Sequence, residues 1–174
     1  KSKGRTMPHF TTSNDRLYLN HGSKGLISIR WDGTDEKEHL KLTGIKTYGS
    51  SDVFGKDHDH AAAMPTHEEG WRETNKGSSP SEIKISPDGK HALAKINNDI
   101  YTVVIPLIGT TPTINLAKPE NAAFPAHKLT VMGGEFPVWS NSGKKVHWSL
   151  GASHFSYDLE KSKQFTDSLE VANK

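Results

Sequence analysis

The densest group of chemically capable side chains lies in Asp57-His58-Asp59-His60 and His67-Glu68-Glu69, three imidazoles and four carboxylates within thirteen residues. A His-x-His spacing can offer two neutral imidazoles to zinc or another divalent cation, with His67 as a third candidate ligand. Two features weigh against a catalytic centre. The preceding Ser51-Asp52-Val53-Phe54-Gly55-Lys56 is not a buried strand, and no alternation of strands and helices follows to supply further ligands. The segment reads as a solvated polar loop, with a divalent metal at His58, His60 and His67 as the rival reading. No other cofactor is expected.

Other chemistries find less support. The chain has no cysteine, which excludes thiol nucleophiles, disulfides and Cys-ligated zinc. Ser149-Leu150-Gly151-Ala152-Ser153 lacks the Gly-x-Ser-x-Gly turn that exposes a nucleophilic serine, and no Ser, His and Asp fall in a recognisable order. Trp31-Asp32-Gly33-Thr34 superficially matches a WD repeat but has no companion Gly-His, so it reads as a strand-ending turn. Trp139 and Trp148 suit packing between sheets better than an aromatic binding platform, and His147 and His154 read as edge residues. No catalytic residue is assigned.

The elements that must carry these residues come from a threefold repeat. Phe10 to Leu19, Ile85 to Ala94 and Trp139 to Trp148 share an apolar anchor, a Ser or Thr, turn formers, a basic residue and a strand-like run. In Ser86-Pro87-Asp88-Gly89-Lys90 the proline presets one turn residue, the aspartate bonds nearby backbone, and the glycine takes positive φ cheaply. The third copy keeps the glycine as Gly143, and the first has Asn14 there. A further run follows each copy: Leu26 to Ile29, Ile100 to Val104 and Phe155 to Tyr157. A fourth strand is expected at Leu40 to Gly44 and at Lys128 to Thr130. Such meanders bury both faces only by stacking on one another. The expected fold is all-β, a partial β-propeller of about three four-stranded antiparallel blades with long loop insertions.

The blades are expected at about residues 7–44, 80–132 and 134–170, with insertions at about 44–79 and 107–127. No stretch shows sustained helical periodicity, although Asp59 to Glu69 has room for one helical turn. Three blades should not close a ring, so further blades outside this sequence or self-association through open blade edges is expected. The chain starts without Met, and no apolar segment follows Lys1-Ser2-Lys3-Gly4-Arg5; it reads as an internal fragment of a longer polypeptide. Its 22 basic and 20 acidic residues are interspersed, net charge +2, which gives no footprint for nucleic acid or an anionic membrane. No apolar run is long enough for membrane insertion as a helix.

Leu129-Thr130 followed by Phe136-Pro137-Val138-Trp139-Ser140-Asn141-Ser142-Gly143-Lys144 resembles the blade repeat of TolB-type propellers, and Ser86-Pro87-Asp88-Gly89-Lys90 matches it more fully. Ser142, where Asp is usual, and the first copy, without a Pro-Asp-Gly turn, depart from it. Ser86 to Val104 and Gly133 to Leu159 resemble the propeller region preceding the catalytic domain in secreted bacterial amidohydrolase-related proteins. The resemblance implies a non-catalytic scaffold or binding segment in the periplasm or outside the cell. Its implied partners are the catalytic domain of the parent chain and a protein or peptide ligand. A TolB-like interaction propeller without an enzyme and a small metal-dependent hydrolase are the alternatives.

Overall fold

The computed structural model describes residues 5–44, 77–106 and 109–172. Its strands are β1 (Arg5–His9), β2 (Leu17–His21), β3 (Gly25–Ile29), β4 (Lys37–Thr43), β5 (Glu82–Ile85), β6 (His91–Ile96), β7 (Asp99–Val104), β8 (Thr113–Asn115), β9 (Ala126–Lys128), β10 (Glu135–Trp139), β11 (Lys145–Leu150) and β12 (Ser153–Asp158). A helix, α1 (Leu159–Ala172), follows directly. β1 to β4 form one antiparallel meander, β5, β6, β7 and β9 a second, and β10 to β12 a third.

The sequence repeat has a counterpart in every first turn. Gly89 N–H donates to Ser86 O at 2.9 Å, Gly143 N–H to Ser140 O at 2.9 Å, and Asn14 N–H to Thr11 O at 3.2 Å. The donors have φ of 75°, 71° and 50°, the left-handed region that favours glycine and is tolerated by asparagine. The hydroxyls of Ser86 and Ser140 also accept the His91 and Lys145 N–H groups, at 2.9 and 3.1 Å.

These equivalent pieces lie side by side. Thr12 N–H donates to Pro87 O at 2.8 Å, and a Cβ on Gly143 would sit 3.4 Å from Pro87 Cδ. The first strands are linked in the same order. Ile85 N–H donates to His9 Nε2 at 2.8 Å, and Lys84 Nζ to Pro137 O at 2.8 Å. Consecutive meanders joined turn to turn and first strand to first strand are propeller blades, and the chain is an all-β partial propeller.

Packing between blades explains the composition of β6. Successive side chains point to opposite faces of a strand. Ala92, Ala94 and Ile96 meet Leu26, Leu40 and Leu42 of the first sheet, while Leu93 meets Val146 and Trp148 of the third. A strand buried on both faces therefore reads as an almost unbroken apolar run, His91-Ala92-Leu93-Ala94-Lys95-Ile96. Each fully buried aliphatic side chain contributes about 1.5–3 kcal/mol.

The first two sheets hold the expected four-stranded meander, the first with a fifth strand added, and the third has three strands. In the first, β8 joins the outer edge in parallel to β4, pairing Leu42 with Ile114. Part of the expected second insertion is thus sheet. Pro112 O accepts Lys41 N–H at 2.9 Å, Leu116 N–H donates to Thr43 O at 2.7 Å, and Ile114 and Leu116 are buried. A three-residue strand is too short for alternation to reveal it. In the third sheet α1 follows the third strand, contrary to the expectation of no sustained helix. Asp158 caps it, accepting the Lys161 N–H at 3.1 Å, and Leu159 packs against the core shared by the second and third sheets. The polar sequence of α1 carries no broad apolar stripe, so docking rather than periodicity holds it. No helix among the described residues is long and apolar enough to cross a membrane.

Candidate functional site

Pairing of β6, β7 and β9 sets Leu93, Thr102 and His127 in one row, with His91 opposite Val104 beside it. α1 crosses this outer part of the second sheet and encloses a cleft of about 530 Å³. Val104, Pro125 and Leu159 supply apolar walls, and His91, His127 and Tyr157 supply polar groups. The volume falls within the range of small-molecule sites, about 300–1,000 Å³. Tyr157 Oη is hydrogen-bonded to Ser162 Oγ, which ties β12 to α1. Lys144 Nζ lies 2.9 Å from Glu160 Oε1 and anchors the helix from outside.

His91 is the distinctive group here. Burial pushes its imidazole pKa down, against the attraction of Asp88, and favours the neutral ring. Its Nδ1 is closed to solvent and has no hydrogen-bond partner among the described residues. The cleft therefore offers apolar walls with the polar groups of His127 and Tyr157 in its lining, while the Nδ1 of His91 faces away from solvent.

A second depression of about 520 Å³ lies at the outer turns of the first sheet, around Arg16, Arg30, Trp31 and Asp35. Its charges are largely satisfied internally. Arg16 Nη1 lies 2.7 Å and Arg30 Nε 3.3 Å from the same Asp35 oxygen, which holds that carboxyl below the usual range. Trp31 is 68% exposed and stacks on Phe10 at 5.0 Å. The Trp31-Asp32-Gly33-Thr34 segment is a turn, with Gly33 N–H on Arg30 O and Thr34 N–H on Asp32 Oδ1, both at 2.9 Å.

One serine-histidine contact escaped sequence reading. Ser28 Oγ lies 2.8 Å from His39 Nε2 and accepts from Arg16 Nε at 2.8 Å. Burial and the Arg16 charge lower the His39 pKa and favour the neutral ring beside the serine hydroxyl. Ser28 is wholly buried. A hydroxyl closed to solvent and held by a guanidinium cannot reach a substrate carbonyl, and the trio is structural. Only the β3–β4 register irregularity brings these residues together, which explains why spacing did not reveal them.

The remaining candidates are dispersed. Trp148 is buried with Leu93, Ile100 and Val146, and Trp139 Nε1 donates to Lys84 O at 3.2 Å; both pack between sheets. His147 and His154 stack at 5.3 Å on the outer face of the third sheet. Ser149 Oγ lies 3.5 Å from Glu135 O, and Ser149 faces His154 across the β11–β12 ladder. His58, His60 and His67 lie outside the described residues. Among the described residues no group of three or more His, Asp or Glu side chains could hold a metal ion. His91, Thr102 and Tyr157 were not legible as site residues, because each reads in sequence as an ordinary strand position.

No family model matches the chain, and no curated protein matches it. Among solved structures it is similar to the β-propeller domain of Cps50 (Swd1) from Myceliophteria thermophila, with 13% identity and a TM-score of 0.43. The match covers 90% of this chain and 40% of that one, so the chain spans well under half the length of the protein it matches.

Proposed function

We propose that this chain is a non-catalytic propeller segment whose cleft beneath α1 binds a peptide or another amide-bearing apolar ligand. The observation that carries this reading is the cleft of about 530 Å³, mostly apolar and lined by Val104, Pro125 and Leu159 with His127 and Tyr157 among its polar groups. Val104, Pro125 and Leu159 bury an apolar side chain, while polar groups of the lining such as Tyr157 and His127 hold the amide. The blade motifs from Ser86 to Lys90 and Phe136 to Lys144 support a TolB-type propeller accompanying an amidohydrolase-related catalytic domain in the periplasm or outside the cell.

N-acetylphenylalaninamide is a suitable probe, followed by amide and imidazole NMR shifts. Saturable changes centred on His91, Thr102 and Tyr157 are expected, and Val104→Trp, which fills the cleft, should abolish them. No shift up to about 10 mM, the range of a weak fragment-sized ligand, would sink the reading. So would hydrolysis of amide or ester substrates by the purified chain.

A further inference from the structure

The third sheet stops one strand short of its neighbours. β4 and β9 each cover the third strand of their meanders, whereas the chain leaves β12 directly for α1. Leu159 N–H donates to Lys144 O at 3.0 Å, which bends the chain back toward β11 rather than along the open side. Among the described residues β12 pairs only with β11, and Ser153 to Ser156 are all exposed. Edge strands expose unpaired N–H and C=O groups and are blunted in many proteins by lysine, proline or a bulge. Ser153-His154-Phe155-Ser156-Tyr157-Asp158 contains no lysine or proline, and its register with β11 is unbroken.

We propose that β12 pairs antiparallel with β12 of a second copy of this chain, with the twofold axis through Ser156. The strand is complementary to itself in that register. His154 faces the partner's Asp158, Phe155 faces the partner's Tyr157, and symmetry repeats both pairs. The small Ser156 side chain meets its own copy at the axis. Phe155 already stacks on Trp148 at 5.7 Å and His154 on His147 at 5.3 Å, so the new pairs extend two existing rows, one on each face.

Neighbouring registers lose this match. A slip of one residue sets Phe155 against Ser156 and lays the partner's polar face beside the aromatic one. A slip of two sets Asp158 against Ser156 and leaves His154 without its carboxylate. Asp158 uses one oxygen to cap α1 and holds Lys145 at 3.7 Å with the other, and a carboxylate retains further acceptor capacity. The interface shares Tyr157 with the cleft, but His154 and Ser156, the two positions substituted to test it, do not line the cleft, so the two readings can fail separately.

Sedimentation of the whole chain tests the pairing, with weight-average mass expected to rise up to twofold with concentration. His154→Asp sets like charges opposite one another twice and should raise the dimer dissociation constant about tenfold, whereas His154→Lys should keep the dimer. The chain has no cysteine, so Ser156→Cys can be oxidised alone. It should yield a covalent dimer, while Ser142→Cys on the exposed first turn of the third sheet stays monomeric. A chain that is monomeric at every concentration, or a dimer insensitive to His154→Asp, overturns the proposal. Crosslinking of Ser156→Cys no faster than Ser142→Cys does the same.

Discussion

Met7 and Phe136 occupy equivalent places in two different blades, each left-handed, at φ 55° and 54°, and each followed by proline. Each lies within a register shift, between Thr6 and His9 against β2 and between Glu135 and Val138 against β11. Two residues with Cβ atoms adopt a backbone that favours glycine, so the bulge is a property of the blade rather than of one residue. The left-handed conformation costs a residue with a Cβ about 1–2 kcal/mol, and glycine loses about 0.5–1 kcal/mol through chain entropy. Phe136 is 74% exposed and has little packing to lose. Phe136→Gly should therefore stabilise the chain by up to about 1 kcal/mol in urea denaturation; a loss of stability would show that the exposed ring makes contacts that outweigh the strain.

Acid should weaken the fold through its neutral histidines. His9 donates Nδ1–H to Met7 O at 2.6 Å and accepts Ile85 N–H at Nε2, so protonation at Nε2 would break the link between the first two blades. Burial lowers the pKa of His9, His39 and His91 below 6.5. The unfolded chain then binds more protons below that value, and stability falls as pH drops through and below 6.5. Thermal midpoints should decline from about pH 7.5 to about pH 5.5, and His9→Gln, which keeps an acceptor without titrating, should flatten the slope.

Gly134 has no room for a side chain. A Cβ there would lie 2.5 Å from Trp148 Cδ1 and 2.7 Å from Ile100 Cδ1, both in the core between the second and third blades. Gly134→Ala should cost about 1–3 kcal/mol by overpacking. Trp148→Phe in the same chain should recover part of that loss, a coupling that a double-mutant cycle measures. Strict additivity would place the strain elsewhere.

Arg16 holds the first blade's outer turn together. Its guanidinium donates to Ser28 Oγ at 2.8 Å, to Ser28 O at 3.2 Å and to Asp35. Arg16→Ala leaves the buried Ser28 hydroxyl without its charged donor and should cost about 2–3 kcal/mol. Arg16→Lys should recover little, since an ammonium cannot reach three acceptors as a planar fork does. Equal stability of the lysine variant and the parent would contradict this.

Local chemistry made the blades legible. Asn14, Gly89 and Gly143 each adopt the left-handed turn that their sequences announce, and the runs Leu26 to Ile29, Ile100 to Val104 and Phe155 to Tyr157 all lie in strands. Turn preference and period-two alternation act over a few residues, so one sequence suffices to read them. Long-range partners decided the rest. β8 is a strand because β4 offers an edge 72 positions away from Thr113 at Lys41, and α1 is a helix because the Asp158 cap and the core neighbours of Leu159 hold it. The same is true of the cleft: His91, His127 and Tyr157 are far apart in sequence and meet only when α1 crosses the second sheet. Alternation tells which face of a strand is apolar, but which other face covers it, and which polar atoms are left facing a cavity, are set by packing between blades.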